Sequence, residues 1–223
     1  MTLAVSGRLW RDALIMFDRE TRSLWSQILG ESVAGPLQGR KLEELPSQVT
    51  TWGDWKQRHP ESLVLKKPKQ RGSTYDDYFS NPRTIGVVGS SNPDPRLPVK
   101  TLVFGLEIDE KPIAIPFPLL DQYPVLNALA IERPIVVFSP PQEETALAYD
   151  RRLDGQELTF DRADEAGHRL VVRDRQTGST WDWESGESLS GKLKGQRLTP
   201  LNGVAVFWGV WARYHTGTSL IGE

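Results

Sequence analysis

The residues of this 223-residue chain that could do chemistry come largely in equivalent pairs. His59 and His215 are two of only three histidines. An imidazole changes charge near neutral pH and is a common zinc ligand, so the two could share a metal or act as an acid–base pair. Each also follows a short helical stretch, where a protonated imidazole suits the negative end of the helix dipole. Zinc asks for three or four ligands, and no local spacing supplies them, so no metal ligand is assigned. His168 follows the turn-forming run Asp164-Glu165-Ala166-Gly167 and is expected to be exposed. Arg19 and Arg175, Ser23 and Ser179, and Glu31 and Glu187 form the next set. They could line a polar cleft in which arginine grips a carboxylate or phosphate with two N–H groups. They could equally pair across neighbouring strands while the hydroxyls satisfy turn backbone. Ser23, His59 and Glu31 have the composition of a catalytic triad, yet Ser23 sits on a hairpin without a nucleophile-elbow sequence. The catalytic residues therefore stay unknown, and no motif names a cofactor.

Eight tryptophans are the other unusual feature. An indole face suits a sugar ring, so they could form a stacking platform. Trp52 and Trp55, like Trp208 and Trp211, are spaced for one face of a helix, which is a core pattern. Trp181 and Trp183 share a face if the strand alternation holds. Trp183, whose equivalent is Gln27, is the one expected to be exposed. The basic run from Lys66 to Arg71 reads as solvated connection, and the glycines around Gly86 and Gly89 match no phosphate-binding loop.

The elements that must position these residues are set by a repeat. Residues 18–62 align without a gap on 174–218 at an offset of 156, with 17 identities in 45 columns. Asp18, Arg19, Thr21, Ser23 and Trp25 fall on Asp174, Arg175, Thr177, Ser179 and Trp181, and Trp52, Gly53, Trp55 and His59 fall on Trp208, Gly209, Trp211 and His215. This reads as an internal duplication. Two copies are too few for a solenoid or propeller. The second copy begins near Lys100, so the expected organisation is the back part of a first unit over 1–65, a connecting segment over 66–99 and a complete second unit over 100–223. A naturally short chain, a misplaced start and a fragment all fit that pattern.

Asp18 and Asp174 suit the start of a tight turn. Gly178 supplies positive φ where the first copy has Arg22, so the two turns are expected to differ in detail. Thr51-Trp52-Gly53-Asp54 opens a short helix with Thr51 as N-cap, and Pro60 limits it. Strands are expected over 101–108, 112–115, 125–131, 134–138, 146–149 and 157–160, with a helix or turn over 117–123 and a hairpin at Asp154-Gly155. Tyr75-Asp76-Asp77-Tyr78-Phe79 should be an ordered part of the connection. The fold class is α+β: β-rich, mainly antiparallel strands with a few short helices in two related halves.

Composition removes several functions. With no cysteine there is no disulfide, thiolate metal site or cysteine nucleophile. A net charge of -2 removes the usual electrostatic case for nucleic acid. No apolar run approaches the roughly 18 residues of a membrane span, and no charged-then-apolar leader opens the chain.

The strings SGRLWRDALIMFDRETRSLWSQ, GESVAGPLQG and TTWGDWKQRHPESLVL resemble the uncharacterised prokaryotic family catalogued as domain of unknown function 3179. DPRLPVKTLVFGLE, PIAIPFPLL and DRQTGSTWDWESGESLSG resemble its middle and second half, so the resemblance spans nearly the whole chain. It implies a duplicated architecture and frequent export, and carries no activity across. The resembled family's pattern also implies a cysteine-bearing segment like C-P-L-C-G-T-A before its first hairpin. The equivalent stretch of the second copy, residues 138–146, has no cysteine. Three functions follow as expectations. The first is a module that binds a small polar ligand or a partner protein between its halves. The second is a metal-dependent or acid–base hydrolase using His59 or His215 with nearby carboxylates. The third is a structural or interaction protein. Compartment and oligomeric state are left open.

Overall fold

The computed structural model describes residues 1–66, 76–86, 90–141, 143–163 and 170–222. The basic run beyond Lys66, Tyr75, Gly89, and His168 with its turn lie outside the described residues. Within them the chain is β-rich, with mostly antiparallel sheets and short helices. The first strands are β1 (Leu3–Trp10), β2 (Ala13–Asp18), β3 (Leu24–Ser26), β4 (Glu31–Ala34), β5 (Leu102–Ile108), β6 (Lys111–Pro116), β7 (Val125–Ala130), β8 (Arg133–Phe138) and β9 (Leu147–Asp150). The rest are β10 (Arg152–Leu153), β11 (Gln156–Glu157), β12 (Phe160–Arg162), β13 (Val172–Asp174), β14 (Thr180–Trp181), β15 (Ser188–Ser190), β16 (Pro200–Leu201), β17 (Gly203–Phe207) and β18 (Ser219–Leu220). The helices are α1 (Trp52–Arg58), α2 (Asp76–Ser80), α3 (Phe117–Gln122) and α4 (Trp208–Tyr214). None is long and apolar enough to cross a membrane.

Two compact units divide the chain, and each draws on separate stretches of it. Unit 1 is Met1–Leu45, Gly72–Leu102 and Val206–Thr218; unit 2 is Pro46–Arg71, Val103–Ala205 and Ser219–Glu223. Helix α1 therefore belongs to unit 2 and α4 to unit 1.

Unit 1 is built on the antiparallel sheet β1-β2-β3-β4. A bulge between Val5 and Arg8 in β1 brings Arg8 opposite Ile15. Helix α4 supplies the other large side chains: Trp208, Trp211 and Tyr214 are buried. Gly209 allows α4 to approach closely, because a Cβ there would meet Val99 Cγ2 at 2.4 Å. The Tyr214 hydroxyl donates to the Trp10 carbonyl.

Unit 2 contains the sheet β12-β13-β14-β15, the sheet β16-β9-β8-β7 and the hairpin β10-β11. A further sheet has the order β17-β5-β6-β18, in which β18 runs parallel to β6. The alternation and apolar runs over 102–138 produce the strands they predict. The expected strand over 157–160 is instead split in two. Asp154 and Gly155 take φ of 49° and 78° and close the β10–β11 hairpin. The Asn127 side-chain amide then donates to the Phe160 carbonyl at 2.7 Å and accepts the Phe160 N–H at 2.9 Å, holding it in a new strand. The core here joins Phe138, Tyr149, Phe160, Val172, Trp181 and Trp183. Phe160 meets both Phe138 and Trp181 edge-on at 5.6 Å, a favoured aromatic geometry.

The offset of 156 recurs in the bonds. Asp18 Oδ2 accepts the Trp25 indole N–H at 2.9 Å, and Asp174 Oδ2 accepts that of Trp181 at 2.9 Å. Ser23 Oγ accepts the Leu37 N–H and Ser179 Oγ that of Leu193 (3.0 and 3.1 Å). Trp55 Nε1 donates to Ser62 Oγ and Trp211 Nε1 to Thr218 Oγ1 (2.8 and 2.9 Å). The turns at Arg22 and Gly178 have φ of 63° and 69°, so they do not differ as expected: Arg22 adopts the left-handed conformation that its counterpart gets from glycine.

Candidate functional site

A convergence of polar side chains in unit 2 forms where α1 meets the turn between β14 and β15. Thr51 caps α1, accepting the Asp54 N–H at 3.1 Å, and the helix ends with the His59 N–H on the Trp55 carbonyl at 2.7 Å. This fixes Arg58 on the last turn, where a cation suits the dipole, and His59 at the C-cap. Opposite them, the β14–β15 turn is locked by Asp182, whose Oδ1 accepts from the backbone and hydroxyl of Ser185 at 2.7 and 2.8 Å. The Tyr149 hydroxyl donates to the carbonyls of Trp183 and Glu184 at 3.1 and 2.7 Å. Burial pushes the Tyr149 phenol well above its ordinary range, with Asp182 and Glu184 adding to the effect, so the hydroxyl stays a donor.

Glu184 is the centre. Its Oε1 accepts from Gln48 Nε2 at 2.5 Å and faces His59 Nε2 at 3.1 Å. Its Oε2 lies 3.4 Å from Arg58 Nη1. The Arg58 guanidinium also donates to Thr50 Oγ1 at 3.0 Å and sits 5.1 Å from the centre of the Trp183 ring. Glu143 Oε2 is 3.9 Å from Arg58 Nη2. Burial raises the Glu143 carboxyl above its ordinary value against the pull of Arg58, with Asp54 and Glu184 raising it further. The side chain of Glu184 is 22% exposed and that of His59 40%. A cavity of about 210 Å³ opens beside them, walled by Tyr149, Leu147, Leu201 and Pro46, with Glu184, Gln48 and the serines 47 and 185 as polar lining. The arrangement offers a fixed carboxylate, donors that hold it and an apolar wall.

His59 and Trp183 are thus the sequence-selected candidates found in this place. Trp183 is only 4% exposed, against the expectation of an exposed ring, because Arg58 covers it and the 136–198 core takes its other side. Trp52, expected in a core, is 48% exposed. Ser23 and Ser179 are buried, each bonded to the Thr two residues before it at 2.7 Å. Arg175 is exposed and grips Asp161 with two bonds of 2.7 Å, while Arg19 is exposed. Glu187 pairs with Arg197, and Glu31 is half-buried in the bridge to Lys41. His215 belongs to unit 1, stacked 3.8 Å from Trp211, and burial lowers its imidazole to about 4. Ser23 and Glu31 belong to unit 1 and His59 to unit 2. Among the described residues, no group of three or more His, Asp or Glu is placed to hold a metal ion.

A family model described as "Protein of unknown function (DUF3179)" matches residues 1–218. The chain belongs to the DUF3179 family. No curated protein and no solved structure matches it. Five residues of this candidate site escaped the sequence reading: Gln48, Arg58, Glu143, Tyr149 and Glu184. Glu184 and Arg58 do carry a signal. They sit where the repeat breaks, opposite Ile28 and Tyr214.

Proposed function

We propose that this DUF3179 chain is a binding module that takes a small polar, hydroxyl-bearing ligand in the cavity beside Glu184. The observation that carries the reading is the Glu184 carboxylate, oriented by Gln48, His59 and Arg58 at the edge of a cavity with an apolar wall. A carboxylate accepts strongly from hydroxyl donors, and an aromatic or aliphatic wall suits the C–H face of a ring. The volume suits one monosaccharide-sized molecule. In sequence terms the site joins residues 46–59 to the 182–187 turn, which supports the reading of a site between two related halves. We read those halves as a duplication, supported by the recurrence of the same bonds at an offset of 156.

Titration of the isotopically labelled chain with a panel of monosaccharides and polyols, followed by amide NMR, tests this. Saturable shifts at residues 47–48, 147–149 and 184–185 that vanish in Glu184→Gln support the reading. Shifts elsewhere, or an unchanged affinity in Glu184→Gln, refute it. A second reading rests on the His59–Glu184 contact and the raised Glu143 carboxyl, which together supply an acid–base set for hydrolysis. Turnover of nitrophenyl esters or glycosides that falls with His59→Gln would move the assignment to that reading.

A further inference from the structure

We infer that unit 1 carries a separate site for an organic anion with a flat apolar body, on the face of the β1–β4 sheet around Arg8 and Arg22. A cavity of about 420 Å³ lies there, lined by Arg8, Arg22, Phe17, Leu24, Ala34 and Ser6 among others, with no carboxylate in the lining. Both arginines are exposed, and among the described residues neither has an acidic partner. Cross-strand register places Leu24 opposite Phe17 and Ala34 opposite Leu24, which makes a continuous apolar floor. The bulge in β1 is what brings Arg8 onto that face, opposite Ile15. The Arg22 guanidinium lies 4.7 Å from the centre of the Phe17 ring. Stacked in this way, an arginine keeps its N–H edge available to a carboxylate or phosphate.

Two comparisons within the chain point to a ligand rather than to ordinary surface. The equivalent face of the other sheet carries Arg173, Thr180 and Ser190 where this one has Phe17, Leu24 and Ala34. There, Thr180 and Ser190 simply bond each other at 2.6 Å. The equivalent positions are thus Arg, Thr and Ser in one sheet and Phe, Leu and Ala, flanked by Arg8 and Arg22, in the other. Arg22 also holds φ at 63°, where its counterpart is Gly178 at 69°. A left-handed backbone is costly for any residue with a Cβ and free for glycine. Eight other non-glycine residues among those described also hold a positive φ, so the weight of this comparison lies in the exchange of glycine for an arginine that lines the cavity.

The experiment is a titration of the whole chain with benzoate and with phenyl phosphate, with acetate and inorganic phosphate as controls. Wild type, Arg22→Gly and Arg8→Met are compared by calorimetry and amide NMR. Arg22→Gly installs the residue the other hairpin uses, so it should melt no lower than wild type. Either substitution should weaken the aromatic anion by at least about tenfold, with NMR shifts at Phe17, Leu24 and Ala34. The tighter of benzoate and phenyl phosphate identifies the headgroup. The inference is overturned if neither aromatic anion binds wild type. Affinities within about twofold across the variants, or acetate binding as tightly as benzoate, would overturn it as well. Because Glu184 is untouched in these variants, the polyol site of unit 2 stands or falls independently.

Discussion

Replacing Asp174 by Asn is nearly isosteric, and it isolates what the carboxylate does. Asp174 Oδ1 accepts the Thr177 N–H at 2.6 Å, while Oδ2 accepts the Thr177 hydroxyl and the Trp181 indole N–H, both at 2.9 Å. An amide has one oxygen. Turned toward Thr177 N–H, it presents its NH2 to the indole; turned the other way, it presents the NH2 to the backbone. The threonine hydroxyl can rotate and accept, but the indole and the backbone N–H cannot. One buried donor is therefore always left facing another donor. A hydrogen bond to a charged group contributes about 1.5–3 kcal/mol and an orphaned buried donor costs about 1–3 kcal/mol, two overlapping terms that together give about 2–4 kcal/mol. Urea unfolding followed by circular dichroism should show the midpoint falling by about 1 M, given a slope near the upper end of the usual range for a chain of this size. Trp181→Phe removes the indole donor, so in that background the Asn substitution should cost at least about 1 kcal/mol less. An Asn variant within about 0.5 kcal/mol of wild type, or a cost unchanged in the Phe background, would refute the reasoning. Asp18→Asn, facing Thr21 and Trp25, should behave in the same way.

Further outcomes follow from the same geometry. Gly186→Ala would place a Cβ 2.5 Å from Tyr149 Cε1 at a φ of 67°, whereas Gly39→Ala meets nothing within 4 Å at a φ of 84°. The second should lose only about 1 kcal/mol of backbone preference, and the first clearly more, with its NMR changes centred on Tyr149 and Glu184. Asp18 and Asp150 are both held down to about 2: burial opposes this, and hydrogen bonds from Trp25 and Thr21 to Asp18, and from Arg152 and Arg133 to Asp150, outweigh it. Their stabilisation is complete above the ordinary aspartate value of about 3.9 and drains away as pH falls toward 2. The stability gap between wild type and Asp150→Asn should therefore be widest at neutral pH and close in that window; a gap constant down to pH 2.5 would contradict it. Burial lowers His215 to about 4, so its neutral form favours the fold above the ordinary histidine value of about 6.5, and this is lost as pH falls through about 4. Proton NMR of its ring should show no titration between pH 7 and 5.

The local parts of this fold were legible because their bonds are local. The Asp–Thr–Ser–Trp set closes within seven residues, so the repeat exposed it directly. The cap at Thr51 and the strands over 102–138 are equally short-range matters of composition and alternation. The site was not legible for the opposite reason. Glu184 meets His59 across 125 residues of sequence, and nothing near either residue announces the other. The repeat also drew attention in the wrong direction. Residues identical in both copies, such as Ser23 and Ser179, hold the hairpins together. Those that differ, such as Glu184 against Ile28 and Phe17 against Arg173, distinguish the surfaces. The burial of Trp183 depends on Arg58 from another segment, which period-two alternation cannot register.

The interleaving of the two compact units has a consequence for how the chain is made. Unit 1 needs Val206–Thr218 as well as Met1–Leu45, so its first sheet emerges from the ribosome long before the tryptophan helix that completes it. At about 5–20 residues per second the roughly 170 intervening residues take on the order of 10–30 s. During that interval Trp10 and its neighbours lack the side of their core that α4 supplies. Release of a chain truncated before residue 206 would leave unit 1 permanently in that state, and a cut between residues 99 and 100 would sever both units at once. Nascent chains stalled at successive lengths should therefore show unit 1 gaining protease resistance late, in a step once residues 206–218 have emerged.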